Sequence, residues 1–62
     1  MAERNIDVIN PYSGQIAVVN KEEEKLYYII KNAEVNEDYK TMQKGLDKFS
    51  RLNPKAYMIL LD

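Results

Sequence analysis

Apolar and polar positions divide this chain into four stretches. Ile6 to Ile9 and Gln15 to Val19 flank Asn10-Pro11-Tyr12-Ser13-Gly14. Their Ile and Val residues favour strands. Asn then Pro suits the first two positions of a type I turn, and Gly14 can take positive φ to bring the chain back. A β-hairpin is predicted. The next stretch, Asn20 to Asn32, fits two readings. Asn20 followed by Glu23 has the form of a capping box, and Leu26, Ile29, Ile30 and Ala33 fall at helical spacing. Against a helix, Leu26-Tyr27-Tyr28-Ile29-Ile30 is dense in aromatic and β-branched residues, which lose rotamer freedom there. Asn20–Lys25 then becomes a polar loop before a third strand. We favour the strand slightly, and the helix stays open.

Asn36 to Leu52 reads clearly as a helix. Asn36 can cap it, and Glu37 and Asp38 suit the positive end of the helix dipole. Tyr39, Met42, Leu46, Phe49 and Leu52 recur every three or four residues, predicting one buried stripe. Gly45 stands at roughly the edge of that stripe, where it can admit a close neighbour, with plain tolerance of a mid-helix glycine an equal reading. Asn53-Pro54 breaks the chain, with Asn53 as cap and Pro54 as first residue of a short terminal helix over Ala56–Leu61. A buried terminal strand is the alternative. The fold class expected is α+β: an N-terminal β-hairpin, three-stranded if Leu26–Ile30 is β, packed on one long amphipathic helix and a short C-terminal element. Residues 1–62 make a single small domain.

Composition narrows the function. A chain of 62 residues buries only about 60% of its unfolded surface. It has no cysteine and no histidine, which removes disulfides and the best zinc ligands. Close packing or self-association must compensate. The terminal run from Ala56 to Leu61 is apolar on every side, so Tyr57, Ile59, Leu60 and Leu61 are expected to meet a second copy, most simply as a homodimer. The N-terminus does not read as a signal peptide, no apolar run approaches the length of a membrane span, and a cytoplasmic setting is expected. Net charge is −1. Residues 1–35 carry four basic and six acidic side chains and residues 36–62 five basic and four acidic, giving −2 and +1. That asymmetry is too mild for a strongly basic nucleic-acid binder.

Catalytic chemistry finds no support. Ser13 and Ser50 lack a recognisable partner, Gly14 and Gly45 are the only glycines, and no phosphate loop exists. Glu22-Glu23-Glu24 reads as a solvated charge run. Asn32, Glu34, Asn36 and Asp38 alternate like calcium ligands, but Glu37 and Gln43 stand where the loop needs glycine and glutamate. No metal, cofactor or enzymatic activity is expected. Two features point to binding instead. Lys40, Lys44, Lys48 and Arg51 fall within an arc of roughly 80° opposite the apolar stripe, and could meet phosphates or an acidic protein. The same row also suits a plain solvated face. Tyrosines supply contact area with a polar tip. Tyr39 is expected in the core, Tyr12 exposed on its turn, and one of Tyr27 and Tyr28 exposed, since neighbours cannot face the same way.

Two stretches resemble the opening of winged-helix replication proteins from plasmids and phages of Gram-positive bacteria. Asn10-Pro11-Tyr12-Ser13-Gly14-Gln15-Ile16 is similar to a leader in which a proline turn precedes a short strand. Leu52-Asn53-Pro54-Lys55-Ala56-Tyr57-Met58-Ile59-Leu60-Leu61 is similar to the proline-started first helix of the wing domain. The resemblance implies a mobile-element setting in DNA replication or transcription, with this chain an isolated N-terminal region or a shortened relative. It carries over no DNA-reading residue. The expected function is a non-catalytic protein-interaction module, a regulator or inhibitor of a larger assembly, with Tyr12, Tyr27, Tyr28, Lys40, Lys44, Lys48 and Arg51 as contacts. The alternatives are a nucleic-acid-binding accessory factor using the basic row, and a domain detached from a larger protein.

Overall fold

Asn10 builds the hairpin turn with both its side chain and its backbone. In the computed structural model, which describes residues 3–61, β1 (Ile6–Ile9) pairs antiparallel with β2 (Ile16–Val19), Ile6 opposite Val19 and Ile9 opposite Ile16. The Asn10 Oδ1 accepts from the Tyr12 N–H at 2.9 Å, and its carbonyl accepts from the Gly14 N–H at 2.8 Å. Gly14 takes φ 77°, the left-handed region open to glycine. Opposed residues share a face. Val8, Ala17 and Val19 are therefore buried together with half-buried Ile6, while Asp7, Ile9, Ile16 and Val18 point outward.

The stretch after the hairpin is a helix, not a third strand. α1 (Lys21–Val35) starts on the capping box: the Asn20 side chain accepts from the Glu23 N–H at 2.8 Å, and the Glu23 carboxylate accepts from the Asn20 N–H at 3.0 Å. Glu23, Tyr27, Ile30 and Ala33 are its buried residues, a spacing that only a helix puts on one face. Packing along that face outweighs the strand preference of Leu26–Ile30, because tertiary context overrides propensity. The hairpin thus stays two-stranded.

Asn36 does not cap the next helix. It closes α1, after which Glu37 adopts φ 57°. The Asp38 N–H donates to the Ala33 carbonyl at 2.8 Å and the Glu37 N–H to Glu34 at 3.2 Å, the paired bonds of a Schellman ending. α2 (Tyr39–Leu52) then starts from Asp38, whose side chain accepts from the Thr41 N–H at 3.3 Å. α3 (Pro54–Leu60) begins as expected, with the Asn53 side chain accepting from the Ala56 N–H at 3.2 Å and Pro54 in its first turn. The terminal segment is therefore helical rather than a strand.

The buried stripe of α2 is rotated from the expected one. Phe49 is wholly buried, Met42 and Leu46 are half-buried, and Tyr39 is 60% exposed, with Leu52 also outside the core. Gly45 takes the central place because α1 crosses there. A Cβ on Gly45 would lie 2.6 Å from Ile30 Cγ1. The core gathers Phe49 and Ile30 with Val8, Ala17, Val19, Tyr27, Ala56 and Leu60. α3 runs antiparallel beside β2: at one end the Asn53 Nδ2 reaches the Val18 carbonyl at 3.4 Å, and at the other the Asn10 Nδ2 donates to the Ile59 carbonyl at 2.8 Å.

Candidate functional site

Element lengths leave one part of the helical layer uncovered. Four-residue strands reach about 13 Å, whereas the 15 residues of α1 extend about 22 Å. A groove of about 680 Å³ opens where the sheet does not reach. Its floor is Ile30 and Leu60, both buried. Met42 and Leu46 of α2 and Leu61 after α3 form apolar walls. Lys31 and Glu34, 3.7 Å apart, stand on the α1 rim. Asn10 and Tyr12 close it from the hairpin turn and Tyr39 from the start of α2. Tyr12 is 92% exposed. Tyr12 and Tyr39 add exposed aromatic surface with a polar tip at the edge of the groove, an arrangement suited to holding a peptide segment.

The contact residues expected from sequence separate into distinct surfaces. Tyr12 lies at the groove. Tyr28 is exposed on α1, its ring 5.6 Å from that of Tyr27. Tyr27 itself is buried, with Lys31 Nζ 5.7 Å from its ring centre, and belongs to the core. Tyr39 moves the other way, from expected core to groove wall. Lys40, Lys44, Lys48 and Arg51 are all exposed, turned roughly 120–160° around α2 from Leu46. Arg51 pairs with Asp47 at 3.2 Å, while the three lysines have no ion-pair partner among the described residues. Within the residues expected to mediate self-association, Leu60 is buried in the core of the chain itself, and Tyr57, Ile59 and Leu61 are only half-buried. The terminal helix is not enclosed on all sides, for Met58 is 68% exposed.

The acidic run holds the largest departure. Glu23 is 2% exposed, a structural hub rather than a solvated charge. Arg4 forks onto its two oxygens, Nε at 3.1 Å and Nη2 at 3.0 Å, and Nη2 also donates to the Leu52 carbonyl at 2.8 Å. Asn53 Nδ2 donates to the same carboxylate at 3.2 Å. One side chain thus ties the approach to β1, the start of α1 and the α2–α3 junction. Burial alone would raise the Glu23 pKa, but bonds from Arg4, Asn20 and Asn53, with the Arg4 charge, outweigh it and hold the carboxyl below its ordinary range. The Arg4 pKa is correspondingly raised by its bond to Glu23. Asp38 is held low by the Thr41 side chain and N–H. The capping-box pattern was the available signal for Glu23, but it speaks only of the bond to Asn20.

Among the described residues, no cluster of three or more acidic, histidine or cysteine side chains could hold a metal ion, and no helix is long and apolar enough to cross a membrane. No family model, curated protein or solved structure matches this chain.

Proposed function

We propose that this chain is a non-catalytic protein-interaction module that receives an apolar segment of a partner protein in the groove between α1, α2 and the hairpin turn. The observation that carries this reading is the groove itself: apolar side chains of all three helices on its floor and walls, under a rim of Asn10, Lys31, Glu34 and two exposed tyrosines that makes its surface mixed rather than purely apolar. Partner helices commonly seat apolar anchors in such grooves while rim groups set orientation. A regulator or inhibitor of a replication or transcription assembly is the setting that the resemblance of residues 10–16 and 52–61 suggests. A photo-crosslinking residue placed at Tyr12 or Tyr39 in the native host tests the site. The expected result is one discrete protein adduct, lost when Leu46 is changed to Glu in a chain that remains folded. Adducts that form equally from exposed positions remote from the groove would refute it.

The second reading, a nucleic-acid-binding accessory factor, is favoured by one observation. Lys40, Lys44 and Lys48 project from one face without ion-pair partners among the described residues. Phosphate contacts make affinity fall steeply with salt, whereas an apolar groove does not. Titration of single- and double-stranded DNA at two salt concentrations separates the readings. Tight, steeply salt-dependent binding lost in Lys44→Glu/Lys48→Glu would favour the second.

A further inference from the structure

The outer face of the hairpin is as unusual as its inner one is ordinary. An antiparallel sheet with one solvated side shows polar residues outward. Here the outward positions are Asp7, Ile9, Ile16 and Val18, with the three apolar residues 58%, 52% and 47% exposed. The apolar surface continues onto α3, since Ile16, Val18, Lys55 and Ile59 line one shallow depression between β2 and that helix. Two rows therefore cross the face. One runs Asp7, Val18, Lys55, and the other Ile9, Ile16, Ile59. Neither Asp7 nor Lys55 has an ion-pair partner among the described residues.

We propose that this face is covered by a second copy of the chain, in a dimer related by a two-fold axis lying in the interface and parallel to the strands. Such an axis reverses the order of elements across the face and preserves position along it. Asp7 of each copy then lies over Lys55 of the other, and Ile9 over Ile59. Ile16 and Val18 meet their own counterparts near the axis. The charge row is thus self-complementary, as an isologous interface requires, and aligned sheets are a common packing. Size agrees: the molecule measures 29 × 28 × 15 Å. Even full use of a side of those dimensions would bury roughly 600 Å² per copy, the low end for a specific interface, and the short strands make the contact smaller than that. A weak, reversible dimer follows. It leaves the groove open, so it neither needs nor excludes a partner there.

Sedimentation equilibrium on the full chain, from low micromolar to millimolar concentration, tests this. A monomer–dimer equilibrium is expected, abolished by Ile16→Glu and unchanged by Tyr39→Glu in the groove. Asp7→Lys and Lys55→Asp should each weaken the dimer several-fold, and the double variant Asp7→Lys/Lys55→Asp should recover it. These two positions are exposed, so the swap keeps the test valid even where Ile16→Glu disturbs the hairpin. A monomer mass at every concentration would overturn the proposal and leave the face to another occupant. So would a double variant no better than its singles, or a dimer lost only with Tyr39→Glu.

Discussion

At the scale of single residues, two side chains carry more than their types suggest. The Glu23 carboxylate accepts from the Asn20 cap N–H, an arginine and a buried amide at once. Removing its charge leaves those donors poorly matched, and hydrogen bonds to charged groups contribute about 1.5–3 kcal/mol. Glu23→Gln is expected to lower stability by about that amount in urea denaturation at neutral pH. The pH dependence follows from its lowered pKa. A carboxyl depressed in the folded state contributes stability that is complete above the unfolded value and is lost as pH falls through the folded one. Stability should therefore decline below about pH 5, less steeply in Glu23→Gln, with Asp38 still contributing in the same direction. Parallel curves for the two proteins would remove Glu23 from this role. Gly45 is the second case. Alanine gains about 1 kcal/mol of helix propensity, but its Cβ would sit 2.6 Å from Cγ1 of the buried, β-branched Ile30. Overpacking of that kind costs about 1–3 kcal/mol. Gly45→Ala should lower the urea midpoint, and a raised midpoint would show that α1 and α2 can part there freely.

At the scale of elements, the α1–α2 junction is where local signals misled. Its left-handed position is occupied by Glu37 rather than the usual glycine, so nothing in the composition marks the end of α1, and Asn36 reads as the start of the next helix. A non-glycine residue in that conformation is disfavoured by roughly 1–2 kcal/mol, part of which glycine would forfeit in backbone entropy. Glu37→Gly should raise stability by about 0.5–1 kcal/mol, seen as a higher thermal midpoint with unchanged helical circular dichroism. A lower midpoint would mean that the Glu37 side chain holds the junction in some other way. The boundaries at Asn10, Gly14, Asn53 and Pro54 were legible because their chemistry is local, and Asn20 makes the capping box that its spacing to Glu23 offered although the strand reading was preferred there.

At the scale of the whole molecule, α2 serves the core with one flank and the groove with another. Phe49 has no exposed surface and belongs to a core drawn from the hairpin and all three helices. Phe49→Ala is expected to cost about 3–5 kcal/mol, a large part of the stability available to so small a domain. Leu46 is half-buried on the groove wall, so Leu46→Ala should cost distinctly less and leave a folded protein. Heteronuclear NMR of both variants checks this: dispersed spectra for Leu46→Ala and collapsed or mixed ones for Phe49→Ala. Equal damage from the two would mean that the groove wall is as much core as Phe49.

Local chemistry was enough to specify the hairpin and its turn, the helical character of residues 39–52 and the capped start of the last helix. The turn, the helical stretch and the cap rest on contacts between residues at most five apart, whose geometry is set by the side chains involved, and the turn then aligns strand partners 7 to 13 residues apart. Tertiary structure decided the rest. Leu26–Ile30 is compatible with strand or helix, and the packing of the Glu23, Tyr27, Ile30 and Ala33 face, closest where α1 meets α2 at Gly45, goes with the helix. Glu23 looks solvated until Arg4 and Asn53, 19 and 30 residues away, are brought to it. Which of Tyr27 and Tyr28 is buried, and that Tyr39 leaves the core for the groove wall, depend on which face a neighbour covers. The groove appears in no local pattern, since it is the gap left where short strands fail to cover a longer helix.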